Sequence, residues 1–167
     1  MTDKPRTAVK TAPGEGEAYW FYSSLVVVRS PEGASPIIIE HRLEPGAAAQ
    51  LHVHHRLDDS FYLAAGRLAV RCGDDAFLAE AGDYVSLPMS VPHTLRVVGD
   101  DDAVLIQTHT DPSFLTFIRS IGVPVAHGRP DVATLNFEAM NGVAAETGQP
   151  VLGPPMSEEE ARAIAAA

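Results

Sequence analysis

Short apolar runs alternate with turn-forming residues from residue 18 to residue 110. Residues 25–28, 37–39 and 94–98 are typical of these runs, which are rich in valine, isoleucine and leucine. Glycine, proline, serine and aspartate lie between them. Short strands at such regular spacing favour an antiparallel sandwich or barrel. No internal repeat is visible, so we predict a single all-β domain over residues 18–110.

The pattern changes on both sides of this region. Residues 1–17 are polar and contain several prolines and glycines, which predicts a flexible N-terminal arm. Residues 111–167 are predicted to form a helical C-terminal extension that packs on the barrel. Within it, residues 113–121 have helical spacing, a second short helix is predicted within residues 131–142, and a third begins at Ser157 as its cap.

Composition narrows the class of protein. The chain has 167 residues, 46% of them hydrophobic, which suits one globular, soluble domain. A net charge of −10 argues against binding to nucleic acid or to an anionic membrane surface. The single cysteine, Cys72, allows no internal disulfide, and no signal core or membrane-spanning run is visible. We therefore expect a cytoplasmic protein.

Two histidines lie two residues apart, shortly after a predicted turn. In an extended strand, alternate side chains point to the same face, so His52 and His54 would project together from Cα atoms about 6.6 Å apart. Asp59 lies five residues beyond His54, which is the wrong parity for one unbroken strand. We therefore predict a bend between them and a new strand that begins at Asp59.

A third histidine comes from a different part of the chain. His93 follows Pro92 directly and opens the strand-like run at residues 94–98. Three imidazoles and one carboxylate would make a mixed nitrogen and oxygen site for one divalent transition metal ion per chain. Ligand type alone does not choose among Fe, Ni, Mn, Co, Cu and Zn. The remaining histidines lack ligand-like spacing, and we expect structural or surface roles for them: His41, His55, His109 and His127.

The spacing of these residues resembles the two sequence motifs of the cupin family. The first motif is carried by Gly46, His52, His54, Asp59 and Gly66, and the second by Gly82, Pro88, Met89, Ser90 and His93. The resemblance implies a cupin jelly-roll barrel in which His52, His54, Asp59 and His93 hold a metal. The chain departs from the family pattern where Asp59 replaces a glutamate, Ser90 a glycine and Val97 an asparagine. The shorter carboxylate of Asp59 puts its reach to the metal in question.

Beyond the motifs, the chain is similar to small single-domain cupins of the quercetin 2,3-dioxygenase-like group. Residues 87–93 and 151–155 carry this similarity. It implies a metal-dependent dioxygenase that cleaves a hydroxylated aromatic or enol-bearing small molecule with O₂. In that scheme Asp59 is catalytic and takes the substrate proton, or serves as a fourth ligand.

Two other classes of function stay open at this point. The same ligand set could serve a metal-dependent isomerase or lyase that uses no oxygen, and a cupin could also bind a small molecule without catalysis. The family resemblance, together with apolar N-terminal strands that would otherwise be exposed edges, predicts a homodimer.

Overall fold

The computed structural model describes residues 7–167, and two antiparallel sheets dominate it. The strands are numbered β1 to β12 in chain order. The seven-stranded sheet contains, in spatial order, β11 (Val123–Pro124), β1 (Glu17–Phe21), β2 (Ser24–Val28), β3 (Ile37–Leu43), β10 (Ala103–His109), β5 (Asp59–Ala65) and β8 (Tyr84–Leu87). The five-stranded sheet contains β12 (Val151–Pro155), β4 (Gln50–His52), β9 (His93–Val97), β6 (Arg67–Cys72) and β7 (Asp75–Glu80). The predicted all-β fold class is confirmed.

The main core lies between the two sheets and follows from the two-residue period of the strands. In β5, Phe61 and Leu63 are buried, whereas Tyr62 between them is exposed. The inward residues of β5 pack with Leu68 and Val70 of β6 in one apolar cluster. Burial on one face and exposure on the other therefore fix the register of these strands.

The tight turn between β5 and β6 requires glycine. Gly66 has φ +79°, and a Cβ atom there would lie 2.6 Å from Ala103 Cα. Both the left-handed backbone and the close approach exclude a side chain. This accounts physically for the glycine at that position of the first motif.

The extension contains three α-helices: α1 (Ser113–Ile121), α2 (Phe137–Glu146) and α3 (Glu158–Ala165). Helix α1 has the bounds that the sequence predicts and buries Phe114 and Phe117 against Phe21 of β1. Helix α2 begins later than predicted, because Asn136 caps it by accepting a hydrogen bond from the Ala139 N–H.

Helix α3 begins after Ser157, whose side chain accepts a hydrogen bond from the Glu160 N–H, as predicted. Ala161 of this helix packs against Ala69 of β6. The sequence therefore predicted the start of α3 correctly, because its cap is the predicted residue, but it did not predict the start of α2.

The extension also contains two strands that the sequence pattern did not predict, β11 and β12. Strand β12 includes Gly153 and two prolines, and it pairs irregularly with β4, where Val151 lies opposite His52. This pairing places β4 between β9 and β12 and covers what would otherwise be an exposed edge.

Part of the predicted N-terminal arm, residues 1–6, lies outside the described residues. In the described part, the Thr11 hydroxyl donates to the Arg29 carbonyl at 2.8 Å, and the Arg29 guanidinium donates to the carbonyls of Ala12 and Glu15. The flexibility of the arm stays a prediction. Among residues 7–167, none of the helices has the length and apolar character needed to cross a bilayer.

Candidate metal centre

Four side chains from three strands and one loop converge at one end of the inter-sheet space. His52, His54, Asp59 and His93 each offer a ligand atom, and these atoms lie within 4.8 Å of one another. Strands β4 and β9 bring His52 directly opposite His93, with ring centroids 4.4 Å apart. The structure thus brings together all four residues that the sequence analysis proposed as ligands.

The rings of His52 and His93 are held in the same way. The Nδ1–H of His52 donates to the Gln50 carbonyl at 2.7 Å, and that of His93 donates to the Val91 carbonyl at 2.9 Å. Each carbonyl belongs to the residue two positions before the histidine. A donor at Nδ1 leaves Nε2 with a free lone pair, which is how metal-binding histidines are commonly oriented. The Nε2 of His93 is buried and has no hydrogen-bond partner among the residues that the structure describes.

His54 occupies a position different from the one expected. Strand β4 ends at His52, so His54 lies in the following loop rather than on the same regular strand. Its backbone is fixed instead by the Ser90 N–H, which donates to the His54 carbonyl at 2.8 Å. Both ring nitrogens of His54 are buried and have no hydrogen-bond partner within the described chain.

Asp59 begins β5, as the sequence predicted, and is 3% exposed. Its Oδ1 accepts a hydrogen bond from the Gln107 side-chain N–H at 2.9 Å, and its Oδ2 lies 3.8 Å from His93 Nε2. The aspartate carboxylate therefore reaches the cluster despite being one methylene shorter than the usual glutamate.

The loop that follows β8 is hydrogen-bonded to the loop that holds His54. The Met89 N–H donates to the Asp58 carboxylate at 2.7 Å, next to the bond from Ser90 to His54. Ser90 has φ +65°, a left-handed conformation that glycine adopts without cost. A left-handed backbone at this position accounts physically for the glycine that the second motif usually carries there.

The protonation states of His52, His54 and Asp59 suit a cation. Burial is the main cause that lowers the pKa of His52 to about 4 and that of His54 to about 3. Burial alone would raise the pKa of Asp59, but the surrounding imidazoles, His54 first, outweigh it and hold that pKa below its ordinary value. Neutral imidazoles and an ionised carboxylate are the forms that bind metal ions.

These residues fit one transition metal ion. Unpartnered imidazole nitrogens, locked ring orientations and a nearby carboxylate make a mixed nitrogen and oxygen donor set. A buried polar nitrogen without a partner is costly, and a bound cation would remove that cost at His54 and His93. The donor set does not identify the metal.

A cavity of about 430 Å³ opens beside the cluster. His52, His54 and Asp59 line it, together with aliphatic residues of both sheets such as Leu95 and Leu105. A further part of the wall comes from the β1–β2 hairpin and from the extension, with the following residues: Phe21, Tyr22, Ser23, Ser24, Phe114, Phe117, Val132, Phe137, Gln149, Val151 and Pro155. The extension thus supplies much of the wall around the candidate metal centre.

Three residues near the cluster were missed by the sequence analysis. His41 and Gln107 line the cavity, and the His109 ring is stacked at 6.4 Å from the ring of His54. All three are buried, which is compatible with the structural role expected for His41 and His109 but not with a surface role. The available signal was weak, since each lies on an apolar strand and gains its position only through strand pairing.

Comparison with known proteins identifies the class of domain. Residues 39–109 match the family model of the cupin domain, and this segment includes all four residues of the cluster. This segment is therefore similar to the cupin domain, and the two-sheet cupin fold agrees with the prediction made from the motifs.

The particular relatives are distant. The chain is 29% identical to quercetin 2,3-dioxygenase of Bacillus subtilis over 87 residues, which are 50% of this chain and 26% of that protein. The matched segment is thus about a quarter of the length of that relative.

Solved structures show the same fold at lower identity. KdgF from a Halomonas species has a TM-score of 0.55 at 16% identity, covering 63% of this chain and 96% of that chain. A predicted oxalate decarboxylase from Thermotoga maritima has a TM-score of 0.54 at 14% identity, covering 60% and 96% of the two chains. At these identities the likeness shows the fold alone.

Proposed function

We propose that this protein is a metal-dependent dioxygenase that cleaves a hydroxylated aromatic or enol-bearing small molecule with O₂. The observation that carries the proposal is a cluster of three histidines and one aspartate, of which His52, His54 and Asp59 line a largely apolar cavity of about 430 Å³. A cavity of this size falls within the range of roughly 300–1,000 Å³ that small-molecule sites occupy. The distant homology to quercetin 2,3-dioxygenase supports the choice of substrate class.

In this proposal His52, His54 and His93 hold one divalent transition metal ion, with Asp59 beside it. When bound, the metal supplies a cationic centre that stabilises the deprotonated form of a substrate hydroxyl. The aromatic and aliphatic walls hold the flat part of the substrate and exclude water.

Asp59 is the proposed catalytic residue. Its Oδ1 accepts a hydrogen bond from Gln107, which leaves Oδ2 available toward the cluster and the cavity. An ionised carboxylate in that place can take the proton of a substrate hydroxyl, or it can complete the ligand set. The two roles predict different outcomes for an Asp59→Asn variant. An asparagine can still coordinate a metal through its side-chain oxygen, but it cannot take a proton at neutral pH.

The experiment measures oxygen uptake by protein reconstituted separately with Fe, Mn, Co, Ni, Cu and Zn, using the flavonol quercetin as the probe. We expect at least one metal form to consume O₂ in step with the loss of quercetin, and oxygen-18 from the gas to enter the product. His52→Ala should abolish this activity through loss of metal, whereas His55→Ala, at an exposed position outside the cluster, should retain it.

Three results would contradict the proposal. Metal-loaded protein that binds quercetin but consumes no O₂ would favour a binding cupin. Conversion of a hydroxylated or enol-bearing compound without O₂ uptake would favour an isomerase or lyase in which the same residues serve a Lewis acid. Failure of every metal to bind would exclude both the dioxygenase and the metal-dependent isomerase or lyase.

We also propose that the protein is a homodimer. Among residues 7–167, the outer edge of β1 pairs with β11 at Tyr19 and Trp20 alone, and we propose that a second chain covers the rest of that edge. Light scattering coupled to size-exclusion chromatography measures the mass directly, and a mass of one 17.8 kDa chain across micromolar concentrations would contradict the proposal.

A cytoplasmic location is part of the same proposal. The lone cysteine, Cys72, is free and buried in a strand, which suits a reducing compartment. Fractionation of cells that express the tagged protein tests it.

A further inference from the structure

Three polar side chains form a diagonal row on the inner face of the seven-stranded sheet. Strands β5, β10 and β3 are neighbours, and they carry Asp59, Gln107 and His41 respectively. Gln107 lies opposite Phe61 on one side and Ile39 on the other, while His41 lies opposite Leu105. Side chains that are diagonal across paired strands are within reach of one another.

One end of this row is hydrogen-bonded, whereas the other end carries a polar atom without a partner in the described chain. Gln107 donates its amide N–H to Asp59 Oδ1, which sets the orientation of the amide. Within residues 7–167, Gln107 Oε1 and His41 Nε2 have no hydrogen-bond partner. Both side chains line the cavity, and they are only 6% and 7% exposed respectively. Buried polar atoms without partners in a cavity wall are costly, unless a bound molecule completes their hydrogen bonds.

The ring of His41 is held in place by aromatic neighbours. It stacks on Phe114 with centroids 6.0 Å apart and an interplanar angle of 18°, and it meets Phe21 edge-on at 6.4 Å. These two rings also line the cavity. His41 therefore presents a fixed polar atom within a wall that is otherwise suited to a flat apolar body.

We propose that Gln107 Oε1 and His41 Nε2 form a subsite for a hydroxyl group of a hydroxylated aromatic ligand, separate from the group that faces the metal-binding residues. A hydroxyl suits the pair because it donates to the amide oxygen and accepts from a neutral imidazole N–H. The ligand class rests on the proposed function, but the subsite does not depend on oxygen chemistry. In this proposal Gln107 and His41 both determine ligand specificity. Gln107 has a second role, because it also donates a hydrogen bond to Asp59.

The test compares two probes that share the same enol and carbonyl group. Quercetin carries further hydroxyls besides the shared enol, whereas 3-hydroxyflavone carries no hydroxyl other than that enol. Calorimetric titration of zinc-loaded protein without oxygen gives both dissociation constants in the absence of turnover. We expect wild-type protein to bind quercetin more tightly by about five- to ten-fold, the value of one net hydrogen bond or slightly more.

Variants assign that preference to the two side chains. His41→Leu and Gln107→Met should each bring the ratio of the two dissociation constants close to one, measured at equal zinc occupancy. His41→Gln, which keeps a polar group, should restore part of the ratio. Leu105→Met is the matched control, because Leu105 lies opposite His41 in the same wall and loses no polar atom. It should change the binding of both probes by the same factor.

Specific outcomes would overturn the inference. A wild-type ratio near one, or one that His41→Leu and Gln107→Met leave unchanged, would mean that the two atoms hold only an ordered water. Binding of neither probe would also overturn it, because the subsite is proposed for this ligand class. A ratio that behaves as expected in a protein that consumes no O₂ would retain the subsite and reject the dioxygenase.

Discussion

His52 and His93 lie directly opposite one another on β4 and β9, and the Nδ1–H of each donates to the backbone carbonyl two residues earlier. One pair of hydrogen-bonded strands therefore positions and orients two of the proposed ligands at once. Because the two strands meet only in the folded chain, metal binding and folding should be coupled.

The first prediction concerns metal and stability. Adding a divalent transition metal to metal-free protein should raise its melting temperature, with a stabilisation of about 2.7 kcal/mol when the free metal is at 100 times its dissociation constant. Elemental analysis of the loaded protein should give about one ion per chain for the cluster. His52→Ala should lose both effects. His55→Ala is the control and should keep them, and equal loss in both variants would contradict a site at this cluster.

The second prediction concerns the bond between Gln107 and Asp59. Gln107→Met removes the donor to Asp59 Oδ1, and loss of such an outer partner typically weakens metal binding by about 10–100-fold. Competition with a chelator measures the change. Thr108→Val, on the outward face of the same strand, should leave the affinity unchanged. An unchanged affinity in Gln107→Met would show that Asp59 is not a ligand held by this bond.

The cluster of candidate ligands could be predicted because the sequence signal for it is local. The spacing of His52, His54 and Asp59 and the position of His93 after Pro92 are visible in the sequence, and the bend before Asp59 follows from parity alone. The end of β4 at His52 could not be predicted from the sequence, because the loop that holds His54 is fixed by a hydrogen bond from the distant Ser90.

The remaining wall of the cavity could not be predicted for a related reason. His41 and Gln107 lie on separate strands, and only the register of β3 against β10 places them near one another. Strand β12 contains glycine and prolines that weigh against a strand, yet pairing with β4 forms it. Long-range pairing thus decides what local preference leaves open.

The third prediction concerns pH. Burial is the main cause that lowers the pKa of His41 to about 4 from 6.5, with Asp59 opposing this and His109 reinforcing it. Between these values the unfolded chain binds a proton that the folded chain excludes, so this contribution to stability is present above pH 6.5 and is lost as pH falls toward 4. His41→Leu should flatten the loss of stability of the metal-free protein in this window by at most about 3 kcal/mol.

Denaturant unfolding at several pH values measures that slope. His52 and His54 have lowered pKa values too, so a reduced slope should remain in the His41→Leu variant. His55→Ala is the control and should keep the full slope, because its side chain is exposed. A slope that is the same in His41→Leu and wild type would show that His41 does not titrate as its burial implies.

The fourth prediction concerns the backbone at Ser90, which has φ +65° where the second motif usually carries glycine. The left-handed conformation costs a non-glycine residue roughly 1–2 kcal/mol, and glycine removes that cost but adds entropy to the unfolded chain. Ser90→Gly should therefore raise the free energy of unfolding by about 0.5–1 kcal/mol, with the hydrogen bond from its N–H to His54 retained. Ser86→Gly, at an exposed position in β8, should lower that free energy by roughly 0.5–1 kcal/mol, because glycine weakens a regular strand. Opposite signs in the two variants, measured by denaturant unfolding, would establish that backbone conformation at Ser90 is the cause, and equal signs would contradict it.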